Sequence, residues 1–165
     1  MPGKTRGRRL GPLLQRKVSL VSQPTEARSR IMRAIRSRDT VPELIVRSLA
    51  HRMGYRFRLC RKDLPGCPDL VFPRLRKAIF VHGCFWHGHD CGQGVRIPAK
   101  NRAYWRKKIM RNQERDMAAH VALTALGWES TVFWECQLQD QKGVMRGLRA
   151  FLRQKRTSQT IFRSR

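Results

Sequence analysis

The chain has 165 residues, 36 Lys+Arg against 11 Asp+Glu, a formal charge of +25 and a pI of about 11.6. One domain with a real core is expected at this length, and a surface this basic is suited to phosphates, whose neutralisation releases counterions. No 18-residue apolar run, dominant basic amphipathic helix or apolar leader is present, so a membrane or secretory role is set aside and a soluble cytoplasmic protein is expected.

Residues 1–24 are basic, punctuated by Gly and Pro and weakly patterned. They read as an arm laid along phosphates, or as an extension without a role. Residues 25–157 form the folded domain, with 158–165 as a basic tail. From Thr25 a short basic helix carries Ile31, Met32 and Ile35 on one side. Thr40 and Glu43 make a capping box for the next helix, whose apolar stripe is Leu44, Ile45, Leu49 and Met53, ending near Gly54.

Tyr55 to Leu59 alternates as a strand, L-P-G-C-P is a turn, and D-L-V-F is a second strand running to Pro73. A-I-F-V-H, ending at His82, is apolar on both faces and therefore a central strand. Residues 101–126 read as a long helix with Trp105, Ile109, Met117 and Val121 at multiples of four, extended by Leu123 and Leu126. Glu129 to Trp134 is a strand, and residues 141–155 close the domain as a basic helix. This order indicates an α/β sheet sandwiched by helices.

Between Val81 and Cys91 the chain reads V-H-G-C-F-W-H-G-H-D-C, with three of the five histidines and two of the five cysteines. His and Cys supply zinc ligands, His also moves protons near neutral pH, and Phe-Trp supplies flat apolar surface. Together with the charge, this indicates a metal-stabilised site acting on nucleic acid. Cutting that polymer with Mg²⁺ needs carboxylates beside a polyanion, and only eleven are present to choose from. Asp69 opens the strand after the P-G-C-P turn, beside the strand that ends in His82. Alone, it reads as a turn-forming Asp.

The paired strands resemble the restriction-endonuclease-like superfamily, whose signature is P-D, a spacer, then (D/E)-x-K. Here Phe80, Val81 and His82 occupy the second element, which trades an acid for an apolar residue and a fixed cation for an imidazole. The segments M-R-A-I-R-S-R-D-T, L-P-G-C-P-D, F-V-H-G-C-F-W-H-G-H-D-C, N-Q-E-R-D and W-E-C resemble the very short patch repair (Vsr) endonuclease family from about Ser29 to Leu138. The chain departs from the family pattern at Gly88 and Asp90, where histidines are usual, at Val81, usually Thr, and at Cys67, commonly Arg. The last lies beside the P-D corner and bears on flanking-base preference.

The resemblance implies a mixed central sheet flanked by helices with a structural zinc site. It also implies a Mg²⁺-dependent nick 5′ of the T in T:G mismatches left by 5-methylcytosine deamination. Double-stranded DNA is then the partner, joined by mismatch-repair factors, and the protein is a nucleoid-associated monomer. Asp69 and the Val81 backbone carbonyl match the Mg²⁺ ligands, and His82 and His87 the catalytic histidines. Asp116 matches the acid that supports and raises the basicity of His87. Glu43 matches a further active-site carboxylate, with a pure cap role as the competing account. Zinc falls to Cys84, His89, Cys91 and Cys136, against the alternative of buried thiols; composition alone does not choose between His87 and His89. Cys60 and Cys67 are expected as free thiols. Phe85, Trp86 and Trp105 match a wedge that enters the duplex beside the mispair, and Met32 enters from the opposite groove. For Trp105 and Met32, core packing is the alternative.

Overall fold

Helix α1 (Val41–Arg52) starts where the sequence provides its cap: Thr40 is extended and its hydroxyl accepts the Glu43 N–H at 3.4 Å. His51 and Arg52 fall in the last turn, where cations oppose the helix dipole. Its buried side is Val46, Leu49 and Ala50, flanked by Ile45 and Met53; Leu44, expected on the stripe, is exposed. The computed structural model describes residues 38–154. The arm 1–24, the expected helix from Thr25 with Met32, and the tail 158–165 lie outside the described residues.

Three strands form the sheet in the order β1 (Leu70–Phe72), β2 (Lys77–His82), β3 (Glu129–Trp134) among the described residues. β1 pairs antiparallel to β2, and β3 lies parallel to it. The sheet is therefore mixed, and the apolar β2 is central as its composition required. Tyr55–Leu59, expected as a strand, contributes a single bridge, Arg58 to Val71. Tyr55 and Phe57 do pack on Phe72, but Cys60 turns left-handed (φ 40°) and leads the chain away before a ladder can form.

Helices cover both faces. On one, α1 and α4 (Gln141–Arg153) bury Leu49, Leu148 and Leu152 against Leu70, Phe72, Ile79 and Phe133. On the other, α3 (Arg102–Ala125) buries Ala119 and Leu123 against Val71, Ala78, Phe80 and Trp128. This is the expected architecture. The expected stripe of α3 is half right: Trp105, Ile109 and Leu123 are buried, while Met117, Val121 and Leu126 are exposed. Steps of four residues overshoot a turn by about 40° each, so a stripe counted in fours walks off the buried face by Met117.

Lys77 is only 1% exposed, an unusual place for a lysine. Its Nζ donates to the carbonyls of Phe151 and Gln154 and pairs with Glu129 at 3.1 Å, so it closes the carbonyl end of α4 from inside the sheet.

Candidate active site and metal centre

Strand parity places the first histidine. Along β2, Ile79 and Val81 pack toward the α1/α4 layer, and Ala78 and Phe80 toward α3. His82 therefore falls on the α3 side, 6% exposed, with its Nδ1 3.8 Å from Asp116 on that helix. His87, ending the one-turn helix α2 (Cys84–His87), stacks on it with ring centroids 3.8 Å apart and planes within 12°. The His87 Nδ1 lies 2.5 Å from the same Asp116 oxygen, a bond that fixes ring orientation. Burial and the neighbouring His87 push His82 down to about 4, against the pull of Asp116. His82 is thus a neutral imidazole at pH 7.

Asp69 sits one residue before β1, and its Oδ2 accepts the Val81 N–H at 2.7 Å. Burial lifts its carboxyl to about 6; that bond and Arg47 oppose the rise, and Glu43 adds to it. Asp69, Val81, His82, His87 and Asp116 line one cleft of about 480 Å³, with Glu43 on its wall. The site residues expected to converge do so. Glu43 is held by the cap: it accepts from the Thr40 hydroxyl at 2.8 Å, the Asp39 N–H at 3.0 Å and Arg47 at 2.6 Å. One carboxylate thus serves both the helix start and the cleft wall.

Next to this cleft, Cys84, His89, Cys91 and Cys136 bring one sulfur or nitrogen each within 4.8 Å of one another. Cys136 donates its N–H to the Cys84 sulfur at 3.4 Å, and its own sulfur lies 3.5 Å from His89 Nδ1. Three sulfurs and one imidazole nitrogen at this spacing suit tetrahedral zinc with no open position, a structural site. Geometry also settles the choice left open by composition, since His87 turns to Asp116 and His89 to the sulfurs. The His89 ring is held flat on Trp134, 4.2 Å between centroids. Burial pushes the Cys84 thiol up to about 12, while the Gly94 N–H draws Cys91 down to about 6.

The segment between the two sites is the turn of helix α2, pinned on α3 at its C-terminal end. Asn112 donates to the Trp86 carbonyl at 2.7 Å and Gln113 to that of His87 at 3.1 Å. Gly88 ends it at φ 62°, where a Cβ would stand 2.6 Å from the Ile109 side chain, so the glycine fits where a larger residue does not. Phe85, Trp86 and Trp105 form a triangle of edge-on rings, 5.1 to 6.0 Å apart, with the Lys108 ammonium 4.8 Å above Trp86. Phe85 and Trp86 are half-buried; Trp105 is 4% exposed.

Arg47, Arg115 and His120 also line the cleft, and none was singled out in the sequence. Arg47 lies four residues after Glu43 and His120 four after Asp116, spacings that place each pair on one helix face. His120 bonds Ser130 at 2.6 Å and meets Phe80 edge-on. Cys60 and Cys67, expected as free thiols, are bonded to each other. The P-G turn between them doubles the chain back and leaves their Cα atoms 5.1 Å apart.

The family model for the DNA mismatch endonuclease Vsr matches residues 22–93. The chain is 50% identical to the type II nicking enzyme V.XorIIP of Xanthomonas oryzae pv. oryzae over 127 residues, 77% of this chain and 93% of that enzyme. It is 39% identical to the type II nicking enzyme V.NmeAIP of Neisseria meningitidis over 117 residues, 71% of this chain and 83% of that one. Against the DNA mismatch endonuclease Vsr of Escherichia coli, identity is 43% over 115 residues, 70% of this chain and 73% of that enzyme. With a mixed sheet between helices, a sulfur-rich zinc-type cluster and a histidine–carboxylate cleft already in place, these matches make the chain a member of the Vsr family of DNA-nicking endonucleases.

Proposed function

We propose that this nicking endonuclease cuts double-stranded DNA 5′ of the T in a T:G mismatch, with Mg²⁺, and so starts repair of deaminated 5-methylcytosine. The observation that carries the reading is the convergence of Asp69, His82, His87 and Asp116 in one cleft of a strongly basic protein. A buried carboxyl held up near 6 is an acid short of positive charge, which fits a divalent cation there. Asp69 and the Val81 carbonyl would hold Mg²⁺, which supplies charge neutralisation at the scissile phosphate. His87, oriented by Asp116, takes the proton of the attacking water. Neutral His82 gives a hydrogen bond to the phosphate.

Phe85 and Trp86 are the stack-entering surface, and Trp105 is their buried support. Unstacking a step costs least at a mispair, so insertion itself selects the substrate. The protein acts as a monomer on nucleoid DNA in the cytoplasm, with repair factors downstream. A related preference for another lesion or flanking sequence is the second reading, favoured by the bonded Cys67 on the cleft wall.

Nicking of T:G, other mismatches and T:A duplexes across flanking sequences, with wild type and Asp69→Ala, separates these readings. T:G-selective nicking by wild type alone supports the proposal. Preference for another lesion supports the second reading, and binding without any nicking marks a non-catalytic module.

Two further outcomes are expected. At limiting Mg²⁺, nicking rises as pH passes about 6, where Asp69 loses its proton, and excess Mg²⁺ moves the midpoint lower because metal and proton compete. A midpoint indifferent to Mg²⁺ would separate Asp69 from the metal. Trp105→Ala lowers unfolding free energy by about 3–5 kcal/mol through the cavity it leaves, read by urea denaturation. Trp86→Ala, at a half-buried position, costs mainly nicking; equal destabilisation by both would make Trp86 a core residue.

A further inference from the structure

The bonded cysteines stand beside the acid assigned to the metal. Cys60 and Cys67 both line the cleft with Asp69. Cys67 precedes it by two residues, with only the buried Pro68 between them. Both cysteines have left-handed backbones, φ 40° and 52°, which residues with a Cβ rarely adopt unless something holds them. Gly66, at φ 74°, is pressed on α3 so closely that a Cβ would stand 2.6 Å from that of Ala119, on the helix that carries Asp116. The turn therefore joins the Asp69 side of the cleft to the histidine–Asp116 side.

We propose that the Cys60–Cys67 bond is a positioning element for the Asp69 carboxylate, making Mg²⁺ engagement, and with it nicking, sensitive to thiol–disulfide state. The inference rests on the Mg²⁺ role proposed for Asp69. Reduction leaves the turn its other ties: Leu64 is buried, and the Leu64 and Cys67 N–H groups bond the Arg61 and Leu64 carbonyls. The domain stays folded. What is lost is the link that holds two left-handed cysteines, and relaxation at Cys67 rotates the peptide that leads into Asp69. In the cell a thiol reductant carries out the exchange: two electrons from two thiols open the disulfide, and the reductant leaves as its own disulfide.

The test uses the full-length, zinc-loaded protein with a T:G duplex, and a phosphine as reductant. The phosphine becomes its oxide, with water giving the oxygen to phosphorus and two protons to the freed thiols. Oxidised protein, denatured with a chelator, should show three thiols of the five cysteines, and five after reduction. Reduced wild type and Cys60→Ser/Cys67→Ser should both need about tenfold more Mg²⁺ for half-maximal nicking, the scale of a displaced catalytic group. The zinc content and the melting temperature should change little. A purely structural bond would move the melting temperature and leave the Mg²⁺ requirement alone, which overturns the proposal, as do superimposable Mg²⁺ curves or five thiols in oxidised protein. If oxidised wild type fails to nick with Mg²⁺ at all, the functional reading falls as well.

Discussion

Asp69→Asn is expected to lose nicking by about a thousandfold or more while making the Mg²⁺-free protein more stable at neutral pH, a paired outcome few site substitutions give. The loss follows from removing the charge that holds the divalent cation. The gain follows from burial: the carboxyl ionises at about 6 in the fold, against an ordinary value of 3.8. Between those values the folded state binds more protons than the unfolded one, so this group's contribution is fully present below about pH 4 and lost as pH rises through 6. Asn removes that loss, and its side-chain oxygen can still accept the Val81 N–H. Allowing for the exposed part of the group, the gain at pH 7 is about 1–2 kcal/mol, and near zero at pH 4. Urea denaturation of the zinc-loaded proteins without Mg²⁺ at both pH values reads it; equal stability of the two proteins at pH 7 contradicts a charge buried at a cost.

Cys136→Ser is the second large effect. Cys84, His89 and Cys91 all lie within eight residues, whereas Cys136 comes from the turn after β3 and ties that segment to the end of the strand beside β2. Zinc bound to the fold and not to the open chain stabilises the fold by its binding free energy. Loss of the fourth ligand should therefore cost about 3 kcal/mol or more, with zinc content falling from one per chain. Nicking falls with it, because α2 carries His87 between the zinc ligands Cys84 and His89. A variant that keeps wild-type stability and releases no metal would make the four residues mere neighbours.

Much of this site was legible because few residue types can do its chemistry. Acids are scarce, which narrowed the choice, but Asp69 and Asp116 were picked out of the eleven only by the family resemblance; His82 and His87 lay in a run too rich in ligands for packing alone. The central strand was legible too, since it is apolar on both faces. What the sequence left open depended on direction in space. His87 and His89 are two residues apart, and only the fold turns one to Asp116 and the other to sulfur. Glu43 matched both a cap and a site, and its side chain holds the cap while lining the cleft. Cys60 and Cys67 were misread because seven residues can equally separate two thiols or close a bonded turn. Met117 and Val121 were misplaced because a count in fours drifts around a helix.

The most direct measurement is a nicking assay on one T:G duplex labelled on both strands, with products mapped to the nucleotide as Mg²⁺ is added. The expected product is a single Mg²⁺-dependent nick 5′ of the mismatched T, with the G strand and a T:A duplex intact. Cleavage of the G strand, equal cleavage of T:A, or nicking undiminished without Mg²⁺ would contradict a mismatch-directed, metal-dependent centre at Asp69.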